Sequence, residues 1–401
     1  MRLLYVTQSY YPFLDMGGPT VKVRALARGM ASFGHAVTVL TADLGFDRAE
    51  REIAGAVAGR WGFEARENGV EAIYLRTRAR YRSLTWNPGV AAFCRERLSG
   101  YDLTHIYGLY DLLGPRVANA CRRIARPYVV EPMGMFLPIV RSIWMKRVYH
   151  DALGGRLLLG ARRVIATSEQ ERQEFLVGGI ADSKIVVRRN GIEIPAEFPP
   201  AGVFRKQWDI SNDVKLVLFL GRLVSKKSPD LMLEAFSHWN RPGNGSRRSL
   251  LVMAGPDEGD GFRQHLEAIT AQMGLNGRVL FTGPLYGEAK WAAYRDADVF
   301  VLPSQNENFG NTAAEAVACG TPVLVTDRCG IAPIVDQRAG LVVPHDCAAL
   351  EAGLARILDD PALAARLREG CRGVANSLSW AEPLAQMETL YRELISERCG
   401  Q

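Results

Sequence analysis

The sequence predicts an α/β protein built from two successive Rossmann-like β/α/β domains that face each other across a cleft. Three observations carry this expectation. Short apolar runs alternate with stretches of helical periodicity along nearly the whole chain, as parallel strands covered by helices require. Midway, Asn190-Gly191 followed by Pro195, Pro199 and Pro200 interrupts the series with turn chemistry. The charge changes sign there too: residues 1–190 hold 28 Lys+Arg and 17 Asp+Glu, a net of +11, against −5 for the remaining 211.

The first domain is expected over residues 1–190. Its strands are read at Leu3–Thr7, Ala36–Thr41, Val70–Leu75, Leu103–Tyr107, Tyr128–Val130, Val164–Thr167 and Ile185–Val187. A helix follows the first strand from about Pro19 to Phe33 and closes on Gly34, a residue suited to a helix C-cap. Residues 43–69 show no clear periodicity and read as an insertion or loop. The second domain is expected over 191–376. Its strands are read at Lys215–Leu220, Leu250–Ala254, Val279–Thr282, Val299–Leu302, Pro322–Thr326 and Gly340–Val343, with helices near Pro229–His238, Phe262–Met273, Glu288–Arg295 and Thr312–Cys319. The last 50 residues are helical with a break near Asn376–Ser379, and the segment 377–401 is expected to pack back on the first domain.

With 48% hydrophobic and 23% charged residues, the composition is that of a globular enzyme and excludes disorder, collagen and disulfide scaffolds. No apolar run reaches the ~18 residues of a spanning helix. The N-terminus reads as a first strand and not as a signal peptide. Seven cysteines without a Cys-x-x-Cys pair point to reduced thiols and a cytoplasmic location.

The most informative stretch runs from Pro303 to Glu315. It follows an apolar strand and opens a helix, so Phe309, Gly310, Asn311 and Thr312 would present backbone N–H groups at the positive helix end. Glu307 precedes the helix and Glu315 lies one turn inside it. Two carboxylates flanking an anion seat suit the hydroxyls of a nucleotide sugar. Without a ligand, the same stretch is an ordinary helix start with exposed acids. A second constellation, Gly221-Arg222-Leu223 with Lys227, follows the first strand of the second domain. Its two cations would sit in a β/α loop at the carboxyl edge of the sheet, where open α/β sheets bind ligands, and can neutralise a diphosphate.

Together these two motifs resemble those of the retaining glycosyltransferases of family 4 (group 1), in the GT-B class. The resemblance extends to Met16-Gly17-Gly18-Pro19, Thr167-Ser168, Asn190-Gly191-Ile192, Gly255-Pro256 and Ala297–Ser304. It implies a sugar transferase using a nucleotide-sugar donor, UDP- or GDP-linked, with no cofactor and no metal. By the resemblance, Arg222 and Lys227 bind the donor diphosphate, Glu307 the transferred sugar and Glu315 the ribose. Backbone groups of Asn308 to Thr312 hold sugar and phosphate. Gly17 and Gly18 approach the phosphate or the acceptor, and residues near Gly283–Leu285 border the base. Many members carry His-x-His at the end of the fourth strand, whereas this chain has His105-Ile106-Tyr107. Tyr107 and His105 are therefore candidates for packing or for a sugar or acceptor contact.

Several other signals are discounted. Asp296-Ala297-Asp298 has the form of a metal–diphosphate motif but lies at a helix-to-strand junction. Asp257–Asp260 lacks the length of a calcium loop. The six histidines show no metal-ligand spacing, and no Gly-x-Gly-x-x-Gly supports a dehydrogenase. From Phe136 to Arg163 the chain is basic and partly apolar, with Arg141, Trp144, Lys146, Arg147, Arg156, Arg162 and Arg163. It suits an anionic membrane surface as well as a solvated helix, whereas no nucleic-acid fold signature accompanies the charge. The expected partners are the donor, a glycan or lipid-linked acceptor, and the inner face of the plasma membrane. The rival readings are a nucleotide-sugar epimerase on the same architecture and a non-catalytic binding subunit.

Overall fold

The computed structural model describes residues 1–13, 18–44, 55–81, 84–137, 143–241, 248–257 and 259–399. The chain divides into two compact units: Met1–Asn190 with Trp380–Gln401, and Gly191–Ser379. The return to unit 1 thus comes at Trp380. Leu378 is buried in the core of unit 2, and its carbonyl accepts from Ile192 N at 2.9 Å, which keeps residues 377–379 there.

Unit 1 is built on β1 (Arg2–Val6), β2 (Ala36–Ala42), β3 (Val57–Ala58), β4 (Gly62–Glu67), β5 (Val70–Leu75), β6 (Ala79–Tyr81), β7 (Leu84–Trp86), β8 (Leu103–Tyr107), β9 (Tyr128–Glu131), β10 (Arg163–Ala166) and β11 (Ile185–Val187). Nine of these form one sheet in the order β11-β10-β9-β8-β1-β2-β5-β4-β3, and β6 pairs with β7 as a separate hairpin. The strands from β11 to β5 are parallel, with near-continuous apolar runs because both faces are covered.

The loop expected over 43–69 is corrected for its described part. Residues 62–67 form β4, antiparallel to β5. The turn between them is Asn68-Gly69, both with positive φ (48° and 80°), the chemistry that a tight hairpin needs. Residues 45–54 lie outside the described residues.

Helix Gly18–Ser32 crosses from β1 to β2, and the C-terminal helix Ala381–Cys399 packs on it. A Cβ on Gly29 would stand 2.4 Å from Leu384 Cδ1, so the absence of a side chain there permits the close crossing. Met387, Tyr391 and Leu394 of the C-terminal helix are buried in the core of unit 1.

Unit 2 holds β12 (Lys215–Leu220), β13 (Ser249–Ala254), β14 (Val279–Gly283), β15 (Val299–Leu302), β16 (Val323–Thr326) and β17 (Gly340–Val343). They form a six-stranded parallel sheet, order β14-β13-β12-β15-β16-β17. Strand order reverses beside β12, which gives the loops after β12 and β15 the switch-point position where α/β sheets take ligands. One hydrophobic cluster lies on each face of the sheet.

Candidate functional site

At the carboxyl edge of the unit 2 sheet, the main chain stitches three strand ends together. Gly221 N donates to Ala254 O at 2.9 Å, Leu223 N to Pro256 O at 3.0 Å and Gly255 N to Gly283 O at 2.9 Å. A Cβ on Gly255 would fall 1.7 Å from Gly221 O, so only glycine lets these loops meet. The chain after β12 then makes a 3-10 turn, Ser225–Lys227. Ser228 follows in the left-handed conformation and Pro229 opens the next helix. Gln305 N donates to Lys226 O at 3.1 Å, which ties this loop to the one after β15.

That tie brings together residues 80 apart in sequence. The Lys227 ammonium pairs with the Glu307 carboxylate, and the two side chains keep 18% and 17% of their surface accessible. Glu307 is itself held by its backbone: its N–H donates to Arg328 O and its carbonyl accepts from Gly330 N, both at 2.9 Å. Phe309 is buried, and its carbonyl accepts from Ile331 N at 2.7 Å. Arg222 lies at the exposed start of the same loop as Lys227.

Gly310 caps helix Asn311–Ala318 with φ 104° and supplies no side-chain cap to it. A Cβ there would press on Ile331 Cγ2 at 3.1 Å and Leu302 Cδ2 at 3.2 Å. The first N–H groups of a helix have no intrahelical acceptor, so the start at Asn311 and Thr312 is a positive seat. One turn inside, Glu315 accepts from Lys290 Nζ at 2.7 Å and from Tyr294 Oη at 2.9 Å. Both partners stand on helix Gly287–Asp296, which follows the loop that leaves Gly283 through Leu285. Gly283 has φ 73°, and Leu285 packs against the core.

The structure therefore gathers Arg222, Lys227, Glu307, Asn308 to Thr312 and Glu315 on the loops of one sheet edge, with Gly283 and Leu285 on the neighbouring loop. Sequence reasoning missed Lys290 and Tyr294. They stand four apart, on one face of the helix that follows Leu285, and that spacing was the available signal.

For His105 and Tyr107, burial decides between the two readings left open, against a sugar or acceptor contact. His105 and Tyr107 are 0% and 1% exposed inside unit 1. Their rings stack at 3.9 Å, and His105 Nδ1 meets Tyr391 Oη at 2.6 Å. They pack the core, and neither offers a surface to a sugar. The structural reading of Asp296 and Asp298 is explained by their bonds. Asp296 accepts from Gly202 N and Arg205 N, and Asp298 from Leu216 N and Arg205 Nη2. Gly17 lies outside the described residues, and Gly18 is the exposed first residue of its helix.

Unit 1 carries a charged group that no motif announced. Glu131, at the end of β9, pairs with both Lys22 and Arg188, and all three are buried. His105 Nε2 stands 3.6 Å from the same carboxylate. Burial works to raise the Glu131 pKa, but the Arg188 and Lys22 charges outweigh it and hold the carboxyl down at about 2. Burial pulls Lys22 down to about 8 and His105 to about 3, so His105 stays neutral through the physiological range.

Residues 202–373 match the family model described as "Glycosyl transferases group 1", and residues 17–191 match the "Glycosyl transferase 4-like domain". An uncharacterized glycosyltransferase of Methanocaldococcus jannaschii is 27% identical over 376 residues, 90% of each chain. A D-inositol 3-phosphate glycosyltransferase of Saccharomonospora viridis is 37% identical over 193 residues, covering 47% of this chain and 44% of that protein. The chain thus aligns with about half the length of such relatives. The fold is similar to that of sucrose-phosphate synthase from Thermosynechococcus elongatus, with a TM-score of 0.74, 23% identity and 99% of both chains covered. It is also similar to Anabaena HepE in complex with UDP and glucose, with a TM-score of 0.75, 18% identity, and 97% and 99% covered. With both halves matched by glycosyltransferase domains and each unit built on a mainly parallel sheet, the chain belongs to the group 1 glycosyltransferases of the GT-B fold.

Proposed function

We propose that this glycosyltransferase moves a sugar from a UDP- or GDP-linked donor to an acceptor hydroxyl with retention of configuration, in the synthesis of a cell-surface polysaccharide or glycolipid. The observation that carries the reading is the pairing of Lys227 with Glu307 beside the uncapped helix start at Gly310, with a second pair, Lys290–Glu315, one turn further in. Arg222, Lys227 and the helix start stabilise charge on the departing diphosphate while the anomeric carbon becomes oxocarbenium-like. Glu307, held by its backbone, orients the sugar. Glu315 takes the ribose hydroxyls, with Lys290 and Tyr294 fixing its carboxylate. The departing phosphate takes the acceptor's proton on the same face of the sugar. The complex of HepE with UDP-glucose supports this choice of donor class.

The acceptor is read as lipid-linked. With the two arginines and four glutamates of residues 377–401 added, the sequence of unit 1 keeps a net charge of +9. Trp144 and Val148 are exposed on the same helix as the exposed Arg147, and Leu159 is exposed on a later one. Among the described residues no helix is long and apolar enough to cross a membrane, so attachment would be peripheral, at a cytoplasmic surface.

Two measurements test the reading. Thermal stabilisation by a panel of UDP-, GDP- and ADP-sugars identifies the donor, and transfer measured beside donor hydrolysis and epimerisation separates the three activity classes. Glu307→Gln should lower kcat, because its contacts persist while the glycosidic bond breaks. Glu315→Gln should mainly raise KM for the donor. The opposite split would reverse the two roles.

A further inference from the structure

Away from the donor residues, unit 2 gathers three metal-ligating side chains, Glu234, His238 and Cys347, with a fourth, Glu351, beside His238. Glu234 and His238 stand four apart on helix Pro229–Trp239, and Cys347 and Glu351 four apart on helix Cys347–Leu358. Ligand atoms of Glu234, His238 and Cys347 all lie within 4.8 Å of one another. Cys347 Sγ is 3.7 Å from His238 Nδ1, and Glu351 Oε2 is 3.5 Å from the same nitrogen. A tetrahedral zinc ion with Zn–S ~2.3 Å and Zn–N ~2.0 Å sets its sulfur and nitrogen ligands about 3.5 Å apart. The spacing fits, and pairs at i, i+4 point side chains from one face of each helix.

We propose that Glu234, His238, Cys347 and Glu351 bind a zinc ion that clamps these two helices together. The scaffold beneath is rigid: Leu233 and Phe236 of one helix and Leu350 and Leu354 of the other are buried in the same cluster. A Cβ on Gly353 would lie 2.5 Å from Leu324 Cδ1, so the second helix sits tightly on the sheet. The ligands themselves stay within reach of solvent, with the His238 and Glu351 side chains 31% and 35% exposed. Neighbouring groups are already engaged: Asp346 caps its helix by accepting from Ala349 N at 3.0 Å, and His345 Nε2 bonds Ser228 Oγ at 2.9 Å. Ser228 directly follows Lys227, so the clamp would also brace the loop that presents that lysine. The assignment does not depend on the donor reading, since none of the four ligands belongs to it.

The test is titration of the full-length, metal-stripped chain with Co2+ and with Zn2+. One equivalent of Co2+ should give a near-ultraviolet thiolate charge-transfer band and the visible bands of tetrahedral cobalt. Zn2+ should displace it and raise the melting temperature. Cys347→Ser should abolish the charge-transfer band, and His238→Gln should weaken binding at least tenfold, with unchanged near-ultraviolet circular dichroism in the absence of metal. Glu351→Gln, on a partly exposed side chain, provides a further arm should either variant misfold, and should also weaken binding. A band that persists in Cys347→Ser, or wild-type affinity no greater than that of His238→Gln and Glu351→Gln, would overturn the assignment.

Discussion

The two sheets end, at the carboxyl tips of their strands, in similar chemistry put to different use. In unit 1, Lys22, Glu131, Arg188 and His105 are sealed from water; in unit 2, Lys227, Glu307, Lys290 and Glu315 each keep roughly a fifth of their surface accessible. A sealed carboxylate must be matched inside the protein, because an unpaired buried charge is too costly. A half-open ion pair has no such obligation, and its members can exchange each other for a ligand. The same residue types thus make a structural knot at one sheet edge and a receptive surface at the other, with water access deciding which.

The largest effect should come from cutting the knot. Glu131→Gln leaves Lys22 and Arg188 buried in each other's field, and a loss of about 3–5 kcal/mol is expected, read from the urea midpoint. A loss below about 1 kcal/mol would mean that the network relaxes and that the contrast between the sites is one of exposure alone. Next come Arg222→Ala and Lys227→Ala, each expected to lower transfer at least ~100-fold, about 3 kcal/mol of lost charge stabilisation, with melting unchanged. If melting fell as far as in the Glu131 variant, the unit 2 pair would be structural as well.

A smaller signature is acid lability. Below pH 6.5 the unfolded chain takes a proton at His105 that the native state refuses until about pH 3. The unfolded state then binds more protons, so stability falls as pH falls, by up to about 1.4 kcal/mol per pH unit. Denaturation curves between pH 6.5 and 5.5, above the range where the unfolded chain begins to protonate Glu131, should show this slope, and His105→Gln should flatten it. An unchanged slope in that variant would place the proton uptake elsewhere. The smallest effect per residue concerns the basic stretch of unit 1, in which Arg141 lies outside the described residues. Charge reversal at Arg141, Lys146 and Arg147 should weaken co-sedimentation with anionic vesicles by roughly 1 kcal/mol per residue at low salt. Equal binding to neutral vesicles would exclude electrostatic docking.

The parallel strands were legible because burial on both faces leaves long apolar runs, such as Lys215–Leu220 after its first residue. The hairpin of β4 and β5 was not, because β4 reads Gly-Phe-Glu-Ala-Arg-Glu, with polar residues on its open face; its announcement was Asn68-Gly69 alone. In the candidate site, Arg222, Lys227, Glu307 and Glu315 stood in local motifs that a linear reading can find. Lys22, Glu131 and Arg188 meet only because β1, β8, β9, β10 and β11 lie in that spatial order. His238 and Cys347 are likewise 109 residues apart and become neighbours only when their helices pack.

The return of helix Ala381–Cys399 to unit 1 has a consequence for synthesis on the ribosome. Met387, Tyr391 and Leu394 fill the core of a unit whose other residues end at Asn190, and the Tyr391 hydroxyl completes the bonds of His105 and Tyr5. Domains generally fold as they emerge, the N-terminal one first. Unit 1 cannot do so to completion. While about 190 further residues are made, its core stays open along one helix, with buried histidine and tyrosine groups waiting for their partner. Unit 2 holds all its elements in one continuous segment and can close first, so the first half of the gene encodes the last unit to finish.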